Sequence, residues 1–409
     1  MSSIFSVLRE REYSKYAAAS ALTSVGTGMQ FVAISWYLWT ITHSASAIGW
    51  ILILSTLPGM LFSPWIGALI DRGDARRICI SADLVRCAIL VALVVATYSI
   101  KTNLTIFYVS IFCIAICDNF FQPAVGAMVR SIVSREQLLS ANIVGNMCMQ
   151  IGVLVGAGVG GLLVAQFGAP VVLLVNAFAL IISAILTSCI KTLAPRLESE
   201  FGEITKHPSF MDEFKATAKY IFQHSHIIWL ANLQMFVYIT LYVCNTLLAA
   251  FVDRELAAGA SGFGIIDAAW GAGALLGGLS LSTIVKKIDR RLFGLLGLLL
   301  LSAAVFLFLT SHALPQAFFA YLLLGFLACT IRVNTDTILV SEVDPAYFGR
   351  VKSTITMFIS YIGLALYAVV GYLGDTVAIR TIYIALGSAL FLGFLVAALP
   401  RIGIRRIAQ

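Results

Sequence analysis

Long apolar runs separated by short polar stretches recur from residue 13 to residue 399. A hydrocarbon core of roughly 30 Å takes about 20 apolar residues of helix to cross. The runs predict twelve spanning helices, over residues 13–41, 46–70, 78–100, 104–133, 138–166, 169–190, 226–252, 262–285, 292–311, 315–342, 351–374 and 377–399. The connections between them are short, which leaves no room for a separate soluble domain. The longest, residues 191–225, is rich in Lys, Glu, Pro and His. It divides the chain into a six-helix bundle at 1–190, a cytoplasmic linker at 191–225 and a second six-helix bundle at 226–409. One fixed offset superposes Ile48-Gly49 on Phe263-Gly264 and Asp71-Arg72 on Lys286-Lys287. The halves therefore read as a duplicated unit, an arrangement that supports alternating access around a site near the midplane. Met211 to Gln223 fits either a short amphipathic helix or an ordered linker without a role.

Composition agrees with a membrane protein. The chain of 409 residues is 60% hydrophobic and 11% charged, with a mean hydropathy of +0.95. Soluble chains carry roughly a quarter charged residues. The net charge of +7 reports topology, not a nucleic-acid partner. Of the 27 Lys and Arg, Lys101, Arg254 and Arg380 fall in one set of alternate connections, and Arg86 and Arg332 fall inside spans. The others cluster at the termini and in the opposite connections. That bias places both termini and the 191–225 segment in the cytoplasm. Met1 to Glu12 shows no cleavage-site pattern, so the first helix is expected to remain in place. The eight cysteines form neither a CxxC pair nor a zinc spacing and read as packing residues. No metal site is expected, and the five histidines sit in connections or at helix ends.

A charged turn, Gly67-Ala68-Leu69-Ile70-Asp71-Arg72-Gly73-Asp74-Ala75-Arg76-Arg77, separates the second and third runs. It fits the pattern G-x-x-x-D-R-x-G-R-R through Gly67, Asp71, Arg72 and Arg76, with Asp74 where glycine is usual and Ala75 where a basic residue is. Together with Ala82-Asp83-Leu84-Val85-Arg86, Phe120-Phe121-Gln122-Pro123-Ala124, Glu136-Gln137-Leu138-Leu139-Ser140-Ala141-Asn142 and Gly349-Arg350-Val351, it resembles the major facilitator superfamily. Within that superfamily the motifs are similar to the branch holding macrolide efflux proteins and the enterobactin exporter. The resemblance runs along nearly the whole chain and implies the twelve-helix fold of two pseudo-symmetric bundles. It also implies that Gly67, Asp71, Arg72 and Arg76 gate the conformational change, Asp71 and Arg72 as a lock that breaks between states. The alternative is that the arginines only anchor the loop at lipid headgroups, the reading preferred for Arg77. Gly152, Gly156, Gly160 and Gly161 resemble an exporter motif, with Ala157 in place of its proline, and equally fit plain helix packing.

Charges inside spans cost at least about 2.5 kcal/mol at the bilayer centre, so they mark functional candidates. Asp118 lies near the middle of the fourth span, beside Asn119 and one turn before Gln122. Arg332 lies near the middle of the tenth, with Asp336 at i+4 on the same face. The superfamily resemblance implies that spans one, four, seven and ten line a central cavity. Asp118, Arg332, Asp336, Gln30, Gln122, Tyr238 and Tyr242 are the candidates for binding substrate or protons there. A permanent Arg332–Asp336 ion pair is the structural alternative. Asp83 and Arg86 are expected to support the 71–77 turn, and Asp267 to be reached by water.

These features predict a secondary active transporter that exports a small organic compound, drug-like or siderophore-type, by proton-coupled alternating access. A proton-coupled importer of a polar or zwitterionic solute and a lysophospholipid flippase are the rivals. An enzyme is not expected: it would need a catalytic set such as paired histidines or a nucleophile–base pair, and no histidine falls inside the membrane, the five lying in connections or at helix ends. No cofactor is expected beyond the proton gradient as energy source. The partners would be the small-molecule substrate, protons and membrane lipids, with no nucleic acid and one chain sufficing. The location would be a bacterial inner membrane.

Overall fold

The computed structural model describes residues 4–99, 103–191, 210–285 and 289–407. The described residues form thirteen α-helices: α1 (Arg11–Thr42), α2 (Ala45–Arg72), α3 (Ala75–Ser99), α4 (Leu104–Ile132), α5 (Leu138–Phe167), α6 (Ala169–Ser188), α7 (Phe210–Gln223), α8 (Ser225–Arg254), α9 (Gly259–Ile284), α10 (Arg290–Leu309), α11 (Leu314–Glu342), α12 (Pro345–Thr376) and α13 (Ile379–Ile407). All but α7 are long and apolar enough to cross a membrane. Along the chain these twelve fall into two sets of six, α1–α6 and α8–α13, on either side of α7.

The chain divides into two compact units, one of Met1–His43, Ala47–Glu198 and Ala258–Ala268, the other of Ser44–Ser46, Ser199–Ala257 and Ala269–Gln409. Each is a bundle whose outward side chains are apolar. Trp65 and Phe178 in the first and Phe319 and Val396 in the second are exposed. In water such a surface would drive association; against acyl chains it is the matching solvent.

Most helix ends fall within about three residues of the apolar runs, within the usual slack of helix boundaries. The two exceptions are informative. The α12 helix starts at Pro345, six residues before the apolar run at 351. Proline suits the first helical turn, where its missing N–H costs nothing. The α13 helix continues to Ile407, past the apolar run that ends at 399. In both places the helix outlasts the apolar run, so hydropathy alone cannot show where it begins or ends.

In the first unit α1 packs on both α5 and α6. The glycine stripe of α5 makes the first contact possible. A Cβ on Gly156 would stand 2.1 Å from the Val25 carbonyl oxygen of α1, and one on Gly160 would stand 2.9 Å from the Met29 Cα. Backbone meets backbone there, and only glycine fits. In the second unit Phe251, Phe308, Tyr321 and Tyr383 form a buried aromatic cluster, with Phe251 and Phe308 ring centroids 4.4 Å apart. Here α7 is tied down through Tyr220, whose ring stacks on Tyr347 at 4.5 Å and whose hydroxyl accepts the Asp344 N–H at 3.3 Å. Residues 192–209 of the expected linker and the Lys286-Lys287 pair lie outside the described residues.

Ser44, Ala45 and Ser46, at the start of α2, are held by Asp375 near the end of α12. Its Oδ1 accepts the Ala45 N–H at 2.6 Å, and its Oδ2 accepts the Ser44 hydroxyl at 2.7 Å and the Ser46 N–H at 3.2 Å. A carboxylate on free helix N–H groups satisfies donors that the helix itself cannot.

Gly156→Leu is expected to cost about 1–3 kcal/mol through overpacking, lowering the melting temperature of the purified protein. Gly67→Ala should leave it unchanged, because a Cβ on Gly67 meets no atom within 4 Å. Equal melting temperatures for Gly156→Leu and the unmodified chain would disprove the close approach of α1 and α5.

Candidate functional site

In the first unit three intramembrane charges come together. Arg86 on α3 donates through one terminal nitrogen to Asp83 Oδ1, three residues back on its own helix, and through the other to Asp118 Oδ1 on α4 at 2.6 Å. Asp83 is fully buried, and its second oxygen accepts the Ser183 hydroxyl of α6 at 2.8 Å. Ser183 in turn accepts the Thr23 hydroxyl of α1 at 2.8 Å. The chain of bonds thus links α1, α6, α3 and α4. Phe121 packs its ring face 4.6 Å from the Arg86 guanidinium carbon, adding a cation–π contact.

The two carboxylates differ in access. Arg86 is 5% exposed, whereas 44% of the Asp118 side chain is open. One cation serves two acids, and the acid that remains accessible is Asp118. Pro123, inside α4, has no N–H for the Asn119 carbonyl, which weakens the helix next to Asp118. Asn119 itself donates to the Ala115 carbonyl at 2.7 Å.

This overturns the expectation that Asp83 and Arg86 support the 71–77 turn. They lie one side-chain length from Asp118, and an arginine in hydrocarbon takes the nearest carboxylates. The presence of Arg86 in a span was the available signal, since such a cation requires a partner.

The second unit holds a different trio. Asp336 on α11 accepts through Oδ1 from Lys352 of α12 and from Gln234 of α8. Its ion-pair partner is therefore Lys352, and the structural alternative, a permanent Arg332–Asp336 pair, is not formed among the described residues. Hydropathy placed Lys352 at the edge of a span. With α12 starting at Pro345, Lys352 is two turns into the helix and reaches Asp336. Arg332 is half-buried and makes no hydrogen bond or ion pair among the described residues.

The remaining candidates are dispersed. Gln30 accepts the Asn176 side-chain N–H of α6 at 2.9 Å, a bond from helix to helix within the first unit. Gln122 is exposed. Tyr238 is half-buried and Tyr242 buried, their rings 6.2 Å apart, and Tyr242 meets Tyr367 edge-on at 5.0 Å. Gly363 of α12 makes room for that ring, since a Cβ there would lie 2.4 Å from Tyr242. Asp267 is half-buried with no hydrogen bond among the described residues, one turn after Phe263, which stacks on Trp36 at 6.0 Å. An open cleft of about 510 Å³, lined among others by Trp36, Tyr37, Ala165 and Gly259, contains none of these charges.

At the charged turn, the side chains of Asp71 and Arg72 lie outside the described residues. Gly67 is exposed. Arg76 donates to the last carbonyls of α6, Thr187 at 3.3 Å and Ser188. A cation on a helix C-terminus satisfies free carbonyls and the helix dipole together. Asp74 caps the start of α3 by accepting the Arg76 N–H at 3.0 Å, which gives the departure from glycine at this position a physical role. Arg77 is exposed and lies 3.4 Å from Asp74.

Twelve helices long and apolar enough to span, with charged clusters inside both units, define a multi-pass membrane protein. The sequence profile of the Major Facilitator Superfamily matches residues 16–243, and the chain belongs to that family. Macrolide efflux protein A of Streptococcus pyogenes is 26% identical over 349 residues, covering 82% of each chain. The staphyloferrin A transporter of Staphylococcus aureus is 22% identical, covering 84% of each. The putative bacilysin exporter BacE of Bacillus subtilis is 24% identical, covering 78% of this chain and 79% of its own. Among solved structures, the nucleoside transporter NupG superposes with a TM-score of 0.75 at 12% identity, covering 95% of this chain and 98% of its own. A bacterial homolog of the human lysosomal transporter Spinster, inward-facing, does so with 0.71 at 15%, covering 95% and 96%. At these identities the structural likeness shows the fold.

Asp83→Asn should reduce the yield of folded protein, since breaking a fully buried pair costs roughly 3–5 kcal/mol. Asp118→Asn, at the open acid, should leave yield and elution profile unchanged. In the second unit, the single reversals Asp336→Lys and Lys352→Asp should each lower the melting temperature, and the double reversal should recover it. Failure of the double reversal to recover any stability would remove the case for that pair.

Proposed function

We propose that the chain is a proton-coupled exporter of a small organic solute, working by alternating access in a bacterial inner membrane with both termini in the cytoplasm. The observation that carries this is Asp118, an acid midway through a spanning helix that shares Arg86 with a buried acid while nearly half its own side chain stays open. A proton arriving at Asp118 neutralises it and weakens its bond to Arg86, which Asp83 still satisfies. The solute and the proton thus compete for one carboxylate, and that competition couples their movements. Asp71 and Arg72, in the 71–77 turn, serve as the conformational lock, and Arg76 holds the turn to the end of α6. The names of three relatives favour efflux or siderophore-type cargo over nutrient uptake. One chain carries the whole path, so a monomer suffices.

The test is reconstitution of the full chain in vesicles enclosing a pH-sensitive dye. Erythromycin, a citrate-based siderophore and a dipeptide would be offered in turn under an imposed proton gradient. At least one should move protons against its own flux in the unmodified protein, and Asp118→Asn should lower the coupled flux about tenfold or more. Full gradient-driven transport by Asp118→Asn would end the proton role of this residue. Solute moving in the same direction as the protons would convert the reading to import.

A further inference from the structure

Arg332 is a half-buried guanidinium inside a spanning helix with no counter-ion among the described residues. The carboxylate nearest in sequence on its own face is Asp336, one turn away, and that group is already engaged. Both Lys352 and Gln234 donate to the same Asp336 oxygen. Two cations, Arg332 and Lys352, therefore stand against one carboxylate, leaving one positive charge over. Lys352 uses up the negative charge of Asp336, so the uncompensated cation is Arg332.

Charge uncompensated in a membrane span is costly and persists where something binds it. A guanidinium presents a planar fork of donors that matches carboxylate and phosphate oxygens two at a time. We infer that Arg332 is a receptor for an anionic group on the transported solute, a carboxylate or phosphate, and that Lys352 holds Asp336 away so that Arg332 stays open to it. Lys352 and Gln234 are positioning residues here, since both act through Asp336. This rests on the transporter reading for its solute and adds the solute's charge.

The test uses two dyes that share a xanthene ring and differ in charge: fluorescein, with a free carboxylate, and rhodamine 6G, an esterified cation. Fluorescence anisotropy on the purified full-length protein reads binding of each. The unmodified chain should bind fluorescein more tightly than rhodamine 6G. Arg332→Gln should weaken fluorescein by roughly ten- to hundredfold, the range for hydrogen bonds to charged groups, and leave rhodamine 6G unchanged or tighter. Arg332→Lys, which keeps the charge and loses the fork, should fall between them. Unchanged melting temperatures in both variants would show that binding, not folding, is being read. Should Arg332→Gln fail to fold, Arg332→Lys alone must show the selective loss. Preference of the unmodified chain for rhodamine 6G, binding of neither dye, or equal fluorescein affinity in all three proteins overturns the inference.

Efflux of each dye from energised cells is read in parallel. Arg332-dependent fluorescein binding without any dye efflux would sink the transporter reading and keep the anion receptor. Fluorescein efflux of equal rate in the unmodified chain and in Arg332→Gln would do the reverse.

Discussion

A guanidinium in hydrocarbon must have oxygen partners, and much of the first bundle is arranged around that requirement. Arg86 sits on α3, with Asp83 a turn behind it and Asp118 across on α4. Asp83 could not stay buried as an anion without Arg86, and its second oxygen would stay bare without Ser183. Ser183 in turn fixes the contact with Thr23. Burying one cation thus orders four helices. The cost of each charge in the span is offset only by the presence of the next, and Asp118 is the member of the cluster whose side chain stays open.

The second bundle meets the same constraint with the opposite remainder. At the α11–α12 cluster Asp336 is outnumbered by Lys352 and Arg332, whereas at the α3–α4 cluster Arg86 is outnumbered by Asp83 and Asp118. Gln234 adds a neutral donor to Asp336 without changing that balance. A duplicated scaffold has therefore kept its helices and lost its charge symmetry, as the drift from Asp71-Arg72 to Lys286-Lys287 already indicates along the sequence.

The spans were legible because lipid imposes one rule along the whole length of a helix, and hydropathy reports it directly. The partners of the charges were not. Which carboxylate Arg86 meets depends on how α3 is rotated against α4, and nothing local to either run records that rotation. Spacing along one helix pointed to Arg332 and Asp336, since i and i+4 share a face. The structure gives Asp336 a different partner, Lys352, which the apolar run from 351 leaves at its margin and which belongs to a helix that begins at Pro345. The partner of Asp336 thus depends on a helix boundary that hydropathy does not show. The glycine stripe shows the opposite case. Gly152, Gly156 and Gly160 were readable as a packing face from spacing alone, and a backbone-to-backbone contact with α1 is what they make.

The 71–77 turn makes the limit of motif reading concrete. Asp74 interrupts the familiar pattern, yet its carboxylate caps α3 and so does locally what a glycine cannot. Arg76 closes the end of α6. Both bonds are local and fix the turn to its neighbouring helices. The turn is thus tied to the start of α3 and the end of α6, and α3 also carries Arg86. The charged turn at the start of α3 and the buried acid–arginine cluster, roughly two to three turns further along it, are therefore carried by one helix.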